Sequence, residues 1–209
     1  MIKRPKKDEY PPYHAHYLDL VPPRAAAHTL LKRLFKEARE LFLSIPEEFG
    51  ELRYDEHKWN IKEVLLHLID TERVFGFRIL YFIRGDRIGM PGFNQDFWMA
   101  EVDVSNRTIK DLMNEWKIVR ENTNYLLQQC TDEKSTFQGK ATGWIVTPRA
   151  LFFIIIGHQV HHMKVIREKY LPLIQSESPD ENSIPDASQE PGEEIVAEGE
   201  GKTDDQKKE

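Results

Sequence analysis

Four stretches of this 209-residue chain repeat apolar residues at intervals of three, four and seven, the period of an α-helix with one buried face. Between residues 25 and 45 the repeat is Leu30, Leu31, Leu34, Leu41 and Phe42, with Lys, Arg and Glu between. In WNIKEVLLHLIDTERVFGFRILYFIRG, Asn60 stands as an N-cap with Glu63 three residues on and Gly85 past the last turn, which predicts a helix over 61–84. Thr108 and Asp111 open a third, carried by Leu112, Trp116, Val119, Leu126 and Leu127 through Cys130. Thr147 followed by Pro148 opens a fourth, which runs to Tyr170 and is expected to end at Pro172.

No stretch alternates as a strand does, so the four helices should close into an all-α four-helix bundle around a shared core. Residues 86–104, DRIGMPGFNQDFWMAEVDV, are long for a plain link and suit a crossover connection; loops of that length are often functional. Residues 131–144, TDEKSTFQGKATGW, read as a polar connection. An apolar content of 40% supports one core, not two similar domains.

The formal charge of −6 misleads about this core. Residues 176–209 hold twelve acids and three bases, a net −9, which leaves the rest at +3. Four bases and two acids fall in the first ten residues, so 11–175 is near neutral, which excludes the clustered positive face a nucleic-acid binder needs. The expected division is a flexible basic arm at 1–12, the bundle at 13–175 and a disordered acidic tail at 176–209, where no aromatic residue is present to offset the entropy of ordering. One cysteine excludes an internal disulfide. The longest apolar run, 150–156, is far short of the ~20 residues that span a bilayer. With no secretory signal in view, a soluble cytoplasmic protein is expected.

Three of the eight histidines sit in GHQVHHMKV, directly behind the apolar run ALFFIIIG. Positions four apart lie about 40° apart on a helix, so His158 and His162 can reach one point, and 158 with 161 could do so too. The face of 158 and 162 also carries Leu151, Ile155, Val165 and Ile166, which turns those two inward and leaves His161 at an edge. A catalytic metal site wants a third ligand and an open position. His67 is the best candidate, flanked by Val64, Leu65, Leu66 and Leu68, on a face continued by Thr71, Val74 and Arg78. Taken singly, each histidine could simply fill core space with its ring hydrogen-bonded. Three inward imidazoles together favour a shared cation, since each would otherwise need separate satisfaction. Neutral imidazoles suit Zn²⁺, Ni²⁺ or another borderline divalent ion.

HLIDTERVFGFR followed by GHQVHHMKVIREKYLP, together with KWNIKEVLLHLIDTE, MPGFNQDFW and TPRALFFIIIGHQVHH, resembles the DinB/YfiT-like superfamily over roughly residues 13–172. The resemblance implies an up-down-down-up bundle, often dimeric, with metal ligands at His67, His158 and His162. It leaves the chemistry open between metal-dependent hydrolysis and transfer of a low-molecular-weight thiol. Either enzyme would act on a small-molecule substrate; a non-catalytic binding or stress-associated module with a structural metal, or none, is the alternative. Asp70, one turn beyond His67, is expected as a proton acceptor or a support for a ligand, and Arg78 as a clamp for an anionic substrate group, though local ion pairing with Arg73 would also explain Asp70. Phe93, Phe97, Trp98 and Trp144 are candidate pocket walls, His14 and His16 alternate on an extended segment near a pocket mouth, His28 and His57 read as structural, and Cys130 reads as a small buried hydrophobe.

Overall fold

The computed structural model describes residues 2–24 and 26–177, so nearly all of the acidic stretch expected to be disordered lies outside the described residues. Helix α1 spans Ala15–Asp19, α2 Ala27–Leu43, α3 Ile61–Ile83, α4 Gln95–Ala100, α5 Ile109–Gln129, α6 Pro148–Val165 and α7 Leu171–Glu177. Three of the four long helices, α3, α5 and α6, start on a side-chain cap. Glu63 N–H donates to Asn60 Oδ1 at 2.7 Å while Asn60 N–H donates to Glu63 Oε2 at 2.7 Å, a reciprocal box repeated by Thr108 and Asp111 at the head of α5. Thr147 Oγ1 accepts from Ala150 N–H at the head of α6.

The core has two clusters, and their membership fixes the direction of each helix. One joins the N-terminal half of α2 (Leu30, Leu34), the C-terminal halves of α3 (Ile79, Phe82) and α5 (Leu126, Leu127), and the first half of α6 (Leu151–Ile156). The other joins the opposite ends: Leu41 and Phe42, Ile61–Ile69, Leu112 and Trp116, and Met163 with the segment after α6. So α2 and α6 run one way and α3 and α5 the other, an up-down-down-up bundle as expected. Both α2 and α3 pack on α5 and α6, which places them diagonally. Parallel α3 and α5 cannot be joined by a tight turn, and residues 84–108 cross the length of the bundle between them.

Four expectations need correction. Pro172 does not end the last helix: Ile166–Tyr170 form a π turn, Leu171 N–H bonds back to Ile166 O, and α7 continues with the proline in its first turn, where a missing N–H costs little. The connection at 131–144 contains a hairpin, Gly139–Ala141 against Trp144–Val146, turned by Thr142 and Gly143 with φ of 53° and 80°, the left-handed pair a two-residue turn requires. His14 closes a 3₁₀ turn and His16 lies in α1, so the two are not on an extended segment. The stretch called a flexible arm is tied down. Arg4 donates to the carbonyls of Leu18 and Val21, and Glu9 receives Arg149 and Thr147 Oγ1, the latter at 3.0 Å. Burial alone would raise the Glu9 carboxyl, but Arg149 and Thr147 outweigh it and hold it below its usual range.

Candidate metal centre

His67 comes from the middle of α3 and His158 and His162 from successive turns of α6, the two helices packing face to face at the junction of the core clusters. All three rings turn Nε2 toward one point. His158 Nε2 lies 2.9 Å from His67 Nε2 and 3.1 Å from His162 Nε2. No other group of three or more His, Cys, Asp and Glu side chains among the described residues meets in this way. Four-coordinate binding at ~2.0–2.1 Å sets donor nitrogens about 3.3 Å apart, so the two edges that meet at His158 need to open by only a few tenths of an ångström to take an ion. Without a cation, three ring nitrogens this close satisfy one another poorly.

His67 and His158 are 4% and 5% exposed. Burial, helped by neighbouring His161, pushes the His67 imidazole down to about 4. Burial and the adjacent imidazoles also hold His158 and His162 well below the usual histidine range. All three are therefore neutral at pH 7, with lone pairs available to a metal. Thr71 Oγ1, one turn after His67, stands 3.4 Å from its Nδ1. Accepting from Nδ1–H, it leaves Nε2 as the free lone pair. Trp59 packs on the His67 ring at 4.7 Å, and the Tyr17 ring meets His158 edge-on at 5.2 Å.

A model of the DinB superfamily matches residues 30–166. The chain belongs to the DinB superfamily. Among solved structures, YfiT from Bacillus subtilis, described as a probable metal-dependent hydrolase with an unusual four-helix bundle topology, aligns with a TM-score of 0.63 at 14% identity, over 82% of this chain and 94% of that one. At that identity the likeness shows a shared fold. No curated protein matches the sequence.

In this DinB-superfamily chain a cavity of about 460 Å³ opens on His67 and His158. Its walls include Tyr13, His14, His16 and Tyr17 from the N-terminal segment, Phe75 and Arg78 from α3, Phe93, Gln95 and Thr142. A smaller opening of about 250 Å³ reaches His162 from another side, past His57, Trp59 and Asp96, and shares Gln95 with the first. Arg78 lines the larger cavity with His67. Asp70 does not: it lines neither opening and joins Arg73, with Glu115 and Arg107 beside it. It sits about 60° round α3 from His67, enough to turn it away. Of the aromatic candidates Phe93 lines the cavity, while Trp98 walls a neighbouring groove and Phe97 and Trp144 are exposed. His161 packs beside Tyr17 and His162 but is outside the converging group. Burial pushes the Cys130 thiol up to about 11, so it stays protonated.

The sequence reading missed a polar layer behind the histidines. Arg120 Nε and Nη2 donate to the two carboxylate oxygens of Glu72 at 2.7 and 2.8 Å, Nη1 to Leu31 O and Nη2 also to Gln159 Oε1. Trp116 Nε1–H donates to Glu72 at 2.7 Å and Gln159 Nε2 to Leu34 O at 2.6 Å. This network joins all four long helices and adjoins both His158 and Thr71 in sequence. The available signal was a Glu and an Arg in register with the apolar positions of α3 and α5.

Proposed function

We propose that this chain is a metal-dependent enzyme in which His67, His158 and His162 hold a divalent ion, Zn²⁺ or Ni²⁺ by donor type, beside a small-molecule substrate cavity. The observation that carries the reading is the convergence of three neutral imidazoles, two buried and one half-buried, with His67 and His158 opening on a cavity and no fourth protein ligand in the group among the described residues. A structural site would be closed by a fourth ligand; a catalytic one keeps a position free. When bound, the ion supplies Lewis acidity that lowers the pKa of a water or thiol and polarises the group under attack. The chain's own residues supply the rest. Thr71 fixes the His67 tautomer, Tyr17 and Trp59 shield the rings from bulk water, and the N-terminal segment walls the cavity.

The similarity to YfiT, described as a probable hydrolase, supports hydrolysis as the first reaction to test. The second opening, at His162, favours thiol transfer as the other reading, because it gives a second reactant its own approach to the centre. Metal analysis of the purified chain beside single alanine variants of the three histidines tests the proposal. The unaltered chain should carry about one equivalent of metal, and each variant should lose it while keeping its helical circular dichroism. Full metal content in all three variants would refute the site. Global unfolding on metal loss would make the ion structural and favour a non-catalytic module.

A further inference from the structure

Arg78 is 6% exposed, and no carboxylate pairs with it among the described residues. Its one hydrogen bond runs from Nη2 to Pro91 O at 2.8 Å, and its guanidinium lies 5.6 Å from the Phe75 ring centre. The other buried cations among the described residues are paired: Arg120 has both oxygens of Glu72, and Lys62 has Glu47 at 3.0 Å. A buried guanidinium with so few acceptors is costly unless something else supplies negative charge, and Arg78 lines the cavity over the histidines. On the same cavity His14 carries a buried Nδ1 with no hydrogen-bond partner. Burial first, then His16 and the charge of Arg78, push the His14 imidazole down to about 4, so near pH 7 it is neutral and offers one N–H and one lone pair. The cavity thus has an unpaired cation and an unpartnered imidazole nitrogen, set among Tyr13, Phe75 and Phe93.

We propose that Arg78 and His14 form a carboxylate-binding pair, and that the substrate of this centre is a small organic acid with a flat apolar body. The inference rests on the cavity being the substrate side of the proposed metal centre. The planar guanidinium fork matches the two oxygens of a carboxylate. Apart from the ion proposed at the histidines, the lining supplies one positive charge, that of Arg78, beside a neutral imidazole, and one carboxylate matches it. The carboxylate takes N–H bonds from Arg78 and His14 Nδ1, the aromatic walls take the apolar body, and the far end of the molecule faces His67 and His158. A volume of about 460 Å³ is in the range of small-molecule sites.

Benzoate and its uncharged isostere benzamide are suitable probes, titrated by NMR into the full-length chain, once loaded with Zn²⁺ and once stripped with EDTA. Benzoate should bind both forms saturably, and benzamide at least tenfold more weakly. Arg78→Gln should weaken benzoate at least tenfold, and His14→Phe by a smaller factor, each without loss of metal. If Arg78→Gln does not fold, the comparison of benzoate with benzamide on the unaltered chain still decides. Equal binding of the two probes overturns the proposal. So does benzoate binding that vanishes with EDTA and ignores Arg78→Gln, which would place the carboxylate on the ion. Inorganic phosphate displacing benzoate at equal concentration would overturn the carboxylate assignment. Metal analysis of the same samples reports on the centre separately: Arg78-dependent benzoate binding in a chain that takes up no metal keeps this inference and refutes the metal reading.

Discussion

At 3.4 Å the contact between Thr71 Oγ1 and His67 Nδ1 is a weak hydrogen bond, and with Nδ1–H as its donor the Nε2 lone pair is left for the centre. Thr71→Val keeps the shape and removes the acceptor. Metal affinity, measured by competition with a chelator, should fall by about 10- to 100-fold with the melting temperature nearly unchanged; unaltered affinity would show that packing alone orients the ring. The same local arithmetic explains what single residues disclosed beforehand. His158 and His162 could be paired because the helical period fixes the angle between them, and His67 could be added because apolar neighbours flank it. Asp70 misled because a residue three positions on is only partly on the same face, and Arg73 of its own helix, itself paired with Glu115 of α5, was enough to draw it away. His14 reads only as a residue near a pocket mouth, on an extended backbone it does not have. Its segment is too short to show a period, and only the folded chain brings it to the same cavity as Arg78.

Helix α1 owes its place to a missing side chain. A Cβ built on Gly157 would lie 2.0 Å from Tyr17 O, so the absence of that carbon lets α1 lie directly on α6 beside His158. Gly157→Ala should therefore push α1 away, lowering stability to urea by about 1–3 kcal/mol. Gly76→Ala is the control: its Cβ would meet Leu126 at an ordinary 3.8 Å, and with the glycine penalty removed from a helix interior it should stabilise by about 0.5–1 kcal/mol. Equal effects of the two changes would mean that α1 is not held by this contact. The long helices were legible because several turns of period agree, joined in α3, α5 and α6 by a cap. The two hairpin strands, α1 and α4 span three to six residues each, too few for a period to emerge, and their positions follow from tertiary contacts such as Met90 N–H to Lys140 O at 2.9 Å.

The four long helices meet in the layer where Arg120 and Glu72 pair at 2% exposure of each side chain. Removing one partner strands a charge, so Arg120→Met should cost about 3–5 kcal/mol in urea unfolding. The double change Arg120→Met with Glu72→Met should recover much of that loss; additive losses in the double-mutant cycle would show that the two residues are not coupled. Because this layer backs His158 and Thr71, it links the rigidity of the bundle to the geometry of the histidines. The pairing of helices was not legible in the sequence, since amphipathic stripes say which face is buried but not against which partner. His67 and His158 stand 91 positions apart, on helices from the two halves of the chain. A cation gripped between them would act as a cross-link closing that loop, and by analogy with a disulfide of similar span such a closure removes about 4–5 kcal/mol of entropy from the unfolded chain. Synthesis would have to deliver nearly the whole bundle before this clasp could fasten, so the ion would lock a finished fold instead of seeding one.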